Sequence, residues 1–95
     1  MWLTWTEPAL RDLAAARGYI AQENPASAKP QVSKIVERIE MLRRLPESGR
    51  PGRRPGTREL VVSGTPFVVP YRIRGENIEI LRVLHHRRRW PEAFD

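Results

Sequence analysis

Three groups of residues in this chain are of types that can do chemistry. The first is His85-His86-Arg87-Arg88-Arg89-Trp90, near the C-terminus. Imidazoles titrate near neutrality and can move protons. Arg87, Arg88 and Arg89 can grip phosphate or stay solvated and paired with a partner; Trp90 can stack on a flat ring or anchor the tail to a sheet. The second is Glu59, a candidate base with Arg58 as its chain neighbour and Arg72 as a second possible partner. The third is the run from Arg43 to Arg58, with six arginines and the single acid Glu47. Each group has a plainer reading. Glu59 can simply pair with Arg58 and Arg72. Adjacent residues on a strand point to opposite faces, so His85 and His86 share a site only if the strand has ended. No third ligand accompanies the two histidines, so no metal site is expected; no cofactor motif is present either.

Charge distribution says more than the net value of +6. Residues 1–42 hold five basic and five acidic side chains, and residues 43–95 hold twelve and six. Fifteen of the 17 cations are arginine, which favours bidentate pairing with phosphate or carboxylate. The expected partner is an anion: nucleic acid, an acidic protein segment, or both. Cysteine is absent, which excludes disulfides and thiolate metal sites. No apolar run nears the ~20 residues a membrane span needs. MWLTWTEP lacks the charged leader and apolar core of a secretory signal, so a cytoplasmic protein is expected. Ninety-five residues fit one domain over 1–95.

The elements that must position these groups follow from periodicity. Met1 to Thr6 alternates as a strand, with Trp2 and Thr4 opposite Leu3 and Trp5. Thr6 caps a helix, with Glu7 and Pro8 in its first turn. Leu10, Leu13, Arg17 and Ile20 fall at helical spacing, and the helix stops near Asn24, before Pro25. A second helix starts at Pro25 or Ala26 and buries Ala28, Val32, Ile35, Ile39 and Leu42. The short connection makes the two an antiparallel hairpin. Pro30 belongs to the first turn or so of the second helix, or else marks a kink. Leu45 and Pro46 end it. Glycines and prolines keep the run from Arg43 to Arg58 irregular, so its arginines are expected to face solvent or a partner.

Three strands follow: 58–63, 67–74 and 78–84. Gly75-Glu76 fits a two-residue hairpin turn and pairs Ile73 with Ile78, Arg72 with Glu79 and Tyr71 with Ile80. Two-residue turns at both ends of the middle strand would compete for the same backbone groups. One turn must therefore be longer, or a bulge must intervene, with Pro70 its natural site. The helices are expected on the Phe67/Tyr71/Ile73 face. The other face would leave Val61, Val68, Leu81 and Val83 uncovered, an apolar strip that calls for a binding partner or a dimer.

The order strand, helix, helix, strand, strand, strand comes with GRPGRRPGTREL (49–60), PFVVPYRI (66–73), ILRVLHHRRRWP (80–91) and YIAQENPASA (19–28). This resembles the RelE/ParE superfamily of type II toxin–antitoxin toxins, and Gly-Thr-Arg-Glu-Leu with Leu-Arg-Val-Leu-His is similar to its ParE-like branch. The resemblance covers nearly the whole chain. It implies an α+β fold, β-α-α-β-β-β, with a helical hairpin on a small twisted, mainly antiparallel sheet. It also implies an acidic ParD-like or RelB-like antitoxin in a hetero-oligomer. Val61, Val68, Leu81, Val83, Arg72, Arg53, Arg54 and Arg58 are then the expected antitoxin contacts, and Arg87, Arg88, Arg89 and Trp90 the expected target contacts.

The two branches differ in action. RelE-like members cut mRNA on the ribosome with basic groups on the middle strands; ParE-like members inhibit DNA gyrase. The matching positions here are Leu60, Val61, Val62 and Val68, none of them basic. RNA cleavage through 2′-OH attack needs a base, an acid and cations, and only Glu59, Arg72, His85, His86, Arg87 and Arg88 could supply them. A gyrase-inhibiting toxin is therefore the leading expectation. A ribosome-dependent mRNA interferase and a non-toxic antitoxin-binding module are the alternatives.

Overall fold

The computed structural model describes residues 1–94. A first strand, β1 (Trp2–Trp5), leads into helix α1 (Glu7–Glu23) and helix α2 (Pro25–Glu40). The Thr6 hydroxyl accepts the Ala9 N–H at 3.2 Å and caps α1. Its proton points at the Ile80 and Leu81 carbonyls, at 2.9 and 3.0 Å, so the same cap pins the helix start to the sheet. Asn24 ends α1 and caps α2, accepting the Ala26 N–H. Pro30 lies inside α2, past the first turn expected for it. The helix stops at Glu40 and a 3-10 turn over Met41–Arg43 follows, earlier than Leu45 and Pro46 suggested.

The remaining strands are β2 (Arg50–Pro51), β3 (Arg58–Val61), β4 (Phe67–Arg74), β5 (Asn77–Ile80) and β6 (Leu84–His85). They form one sheet in the order β1-β5-β4-β3-β2, with β6 beside the start of β4. β1 runs parallel to β5; the other pairs are antiparallel. The α+β class and the hairpin-on-sheet architecture match expectation. The short β2 does not, because glycines and prolines crowd its neighbourhood.

The Gly75 turn pairs Ile73 with Ile78, Arg72 with Glu79 and Tyr71 with Ile80. Gly75 takes a φ of 59°, open to glycine at little cost. The parity conflict is resolved twice over. The β3–β4 connection is long, with the Val62 N–H donating to the Phe67 carbonyl at 3.1 Å. Opposite Pro70 the last strand bulges: Leu81 and Arg82 both donate to the Pro70 carbonyl, at 3.0 and 3.4 Å. The bulge falls on the partner strand rather than on the proline's own strand. It moves the register by one residue, so β6 pairs Leu84 with Val68 and His85 with Phe67.

That shift reassigns faces. Val83 turns to the helix side and joins the core with Ile35, Ile39, Leu42, Leu60, Val62, Val69 and Tyr71. The uncovered strip is therefore a correction. Val83 is core, Val68 and Leu81 are 4 % and 2 % exposed, and only Val61, at 42 %, is open. Leu10 is also exposed, because α1 presents Ala9, Ala16 and Ile20 to the sheet instead. Small alanines there let the helix approach closely.

Candidate functional site

Two polar centres lie where the chain leaves regular structure. The first is built on Glu59. Its residue pairs with Pro70, which places it on the helix-free face beside Val61 and Val68. The side chain is 4 % exposed. It accepts from Arg50 Nη2 at 3.0 Å, Arg50 Nε at 3.3 Å, the Arg53 backbone N–H at 2.9 Å and Arg53 Nε at 3.3 Å. Burial alone raises a carboxyl pKa, but these donors outweigh it and hold Glu59 below its usual value. A carboxylate so held is a poor base. Its partners are Arg50 and Arg53, not the expected Arg58 and Arg72.

Arg50 and Arg53 thus pair within the chain while about half of each side chain still meets solvent, as expected for the loop. Arg53 also lies over Trp90, its guanidinium carbon 3.5 Å from the ring centroid. Arg54 donates to the Pro91 carbonyl at 2.7 Å. Trp90 Nε1 donates to the His85 carbonyl at 3.2 Å. Loop and tail are clasped together, with Glu59 beneath. Arg58 instead donates to the Gly49 carbonyl at 2.8 Å. Arg72 pairs with Glu79, as the Gly75 register requires, and Arg74 lies 3.7 Å from the same carboxylate.

The second centre is at His85. β6 ends there, so His86 need not point away. The two imidazoles stack, with centroids 5.3 Å apart and planes 8° apart. His85 meets Tyr19 edge-on at 5.2 Å and Phe67 at 5.7 Å. Its Nδ1 accepts the Arg87 N–H at 3.1 Å. Burial first, then the nearby His86, Arg88 and Arg87, lower the His85 pKa below 6.5 and favour the neutral ring. Arg88 lies over Tyr19 at 4.7 Å. Among the described residues, Arg87, Arg88 and Arg89 form no salt bridge. A hollow of about 380 Å³ opens here, lined by Tyr19, Ile20, Glu23, Asn24, Gln31, Pro66, His85, His86 and Arg87. No group of three or more potential metal ligands occurs among the described residues.

The structure brings His85, His86 and Arg87 together and keeps Glu59 and Arg72 apart from them in ion pairs of their own. Tyr19, Asn24 and Gln31 were missed. The signal for Tyr19 and Asn24 was the Tyr19-to-Ala28 segment at the helix turn, which carried a family likeness without suggesting a site; Gln31 lies beyond it and had none. Asp12 was missed too. It accepts from Arg82 Nε at 2.6 Å, Arg82 Nη2 at 3.0 Å and the Val83 N–H at 3.0 Å, and so ties α1 to the bulge.

Residues 3–90 match the family described as the ParE toxin of the type II toxin–antitoxin system parDE. The chain belongs to the ParE toxin family. It is 41 % identical over 92 residues to a protein of Sinorhizobium fredii named as a toxin, Y4kP, covering 97 % of this chain and 95 % of that one. It is 35 % identical over 86 residues to toxin RelE2 of Caulobacter vibrioides, covering 90 % and 96 %. A solved structure titled chromosomal ParDE TA system from P. aeruginosa superposes with a TM-score of 0.80 at 36 % identity, over 87 % of this chain and 92 % of that one. As a ParE-family chain, the protein is a type II toxin–antitoxin toxin. No helix among its described residues is long and apolar enough to cross a membrane.

Proposed function

We propose that this ParE-family toxin inhibits DNA gyrase in the cytoplasm and is neutralised by a cognate acidic antitoxin. The observation that carries the reading is the make-up of the middle strands. Leu60 and Val62 are core residues, and Val61 and Val68 lie on the opposite face. No cation stands at these positions to stabilise a phosphorane. Arg87, Arg88, Arg89 and Trp90 are the proposed target contacts. The antitoxin partnership is carried over from the ParDE title of the structural neighbour. Its contacts are proposed at Val61 and the adjoining hollow shared with Arg50, Pro66 and His86, which together offer an apolar floor and positive charge.

The test is a supercoiling assay with purified gyrase, toxin and antitoxin. Supercoiling should fall with toxin and recover with antitoxin. Intact supercoiling alongside toxin-dependent cutting of transcripts on ribosomes overturns the reading. That second outcome is the RNA-cleaving alternative, favoured by one observation: two imidazoles and Arg87 share a hollow. Against it, the loop arginines do not gather there, since Arg50 and Arg53 hold Glu59 and Arg54 holds Pro91.

A further inference from the structure

The hollow beside His85 combines three features that neither core packing nor an acidic partner requires together. The first is a stack of flat rings open at one end. Tyr19 abuts His85 edge-on, His86 stacks parallel on His85, and His86 itself is exposed. A further planar ring laid on the hollow side of His86 would continue the stack.

The second is uncompensated positive charge. Arg87 lines the hollow, Arg88 covers Tyr19, and neither has a salt-bridge partner among the described residues. The third is a polar wall on the helix side. Asn24 spends its carbonyl on the Ala26 N–H, which leaves its amide N–H groups to donate. The Gln31 side-chain carbonyl is buried without a hydrogen-bond partner. Glu23 makes that wall acceptor-rich and repels an anion there.

The hollow therefore has polarity: cations at the tail, hydrogen-bonding groups at the helix turn, flat rings between. A ligand that matches is planar, has donors and acceptors on its edge, and carries an anion a short linker away. A nucleotide has all three. An acidic peptide would satisfy the arginines but would leave the rings unused and meet Glu23. A volume of about 380 Å³ suits one such unit, near the lower end of ligand sites, ~300–1,000 Å³. Base pairs inside a duplex present no free face to a stacking ring, so the match is to an unpaired nucleotide.

We propose that this hollow binds one unpaired nucleotide of a nucleic-acid strand. The base stacks on His86 with its edge toward Asn24 and Gln31, and Arg87 and Arg88 hold the phosphates. The site stands apart from the middle-strand positions discussed above, because Leu60, Val61, Val62 and Val68 do not line it. It does not rest on the gyrase reading, and its test does not use gyrase.

The test is fluorescence anisotropy of the full chain with labelled eight-nucleotide strands, as DNA, as RNA and as a DNA duplex. Binding of either single strand at least about tenfold tighter than the duplex is expected, and the DNA and RNA arms identify the source. His86→Ala should weaken single-strand binding about tenfold and His86→Phe should restore it, since a base stack is worth roughly that factor. Arg87→Ala should lower the salt dependence by about one phosphate contact. Arg44→Ala, an exposed arginine outside the hollow, should change little. Circular dichroism confirms that each variant is folded. Equal binding of duplex and single strand overturns the proposal. So does unchanged binding in folded His86→Ala, which would leave only non-specific charge.

Discussion

Removing the Glu59 carboxylate should unfasten the loop that carries Arg50 to Arg54. In Glu59→Ala the Arg53 N–H loses its acceptor in a partly buried site. An unmet donor of this kind costs about 1–3 kcal/mol. The Arg50 and Arg53 side chains are 54 % and 48 % exposed, so both rehydrate. Their pairing then adds only ~0.2–1 kcal/mol each. Relief of the buried charge offsets part of the loss, which leaves about 2–3 kcal/mol and a fall in Tm of roughly 10–20 °C for a domain this size. Urea unfolding followed by circular dichroism reads the free energy. Glu47→Ala is the control, because Glu47 is 78 % exposed and pairs with Arg58 at 3.5 Å. It should stay within about 0.5 kcal/mol of the parent. A folded Glu59→Ala that is equally close to the parent refutes the clamp and returns Glu59 to the list of free bases.

Other consequences are open to the same assays. Tyr71 accepts the Gly49 N–H at 2.9 Å and donates to the Pro46 carbonyl at 2.7 Å, so Tyr71→Phe should cost about 1–3 kcal/mol in urea unfolding. A Cβ at Gly49 would come within 2.6 Å of the Tyr71 ring, so Gly49→Ala should lower the thermal midpoint further than Gly18→Ala, where nothing lies near. Asp12→Ala leaves Arg82 and the Val83 N–H without their acceptor, and a loss of about 2–4 kcal/mol is expected from chemical denaturation. The depressed His85 pKa means the unfolded chain binds the proton more readily. Stability should therefore be full above pH 6.5 and decline as pH falls through the folded pKa, and His85→Phe should flatten that decline in pH-dependent melts. Glu59 acts the same way further down: its contribution is present above pH 4.5 and lost as pH falls through its lowered folded value, so acid unfolding of Glu59→Gln should lack that component.

What could be read from residues alone was whatever local rules over-determine. Gly75-Glu76 admits one tight turn, and that turn sets the pairing of Arg72 with Glu79 without further information. Thr6 announces a helix start because few residues satisfy the first N–H groups as well. The parity conflict in β4 demanded a longer turn or a bulge, and both occur. Which strand would bulge was not legible, since either side of Pro70 relieves the conflict. That choice sent Val83 to the core, and it also brought His85 to the helix side and against Tyr19. The pairing of Arg50 and Arg53 with Glu59 was illegible for another reason. It depends on a single carboxylate being buried, and Glu59 sits in a strand whose other face looks equally ordinary. Asn24 and Gln31 reach the hollow only through the helix hairpin, so no spacing along the chain links them to His86.

The contact of Arg53 with Trp90 and of Arg54 with Pro91 has a kinetic side. These contacts fasten the C-terminal segment to the loop that holds Glu59. A macromolecule that has to displace this segment from the loop must wait for the fastening to open. Its observed association rate would then level off as its concentration rises, at a ceiling set by the opening step, whereas one that engages Val61 alone would meet no such ceiling.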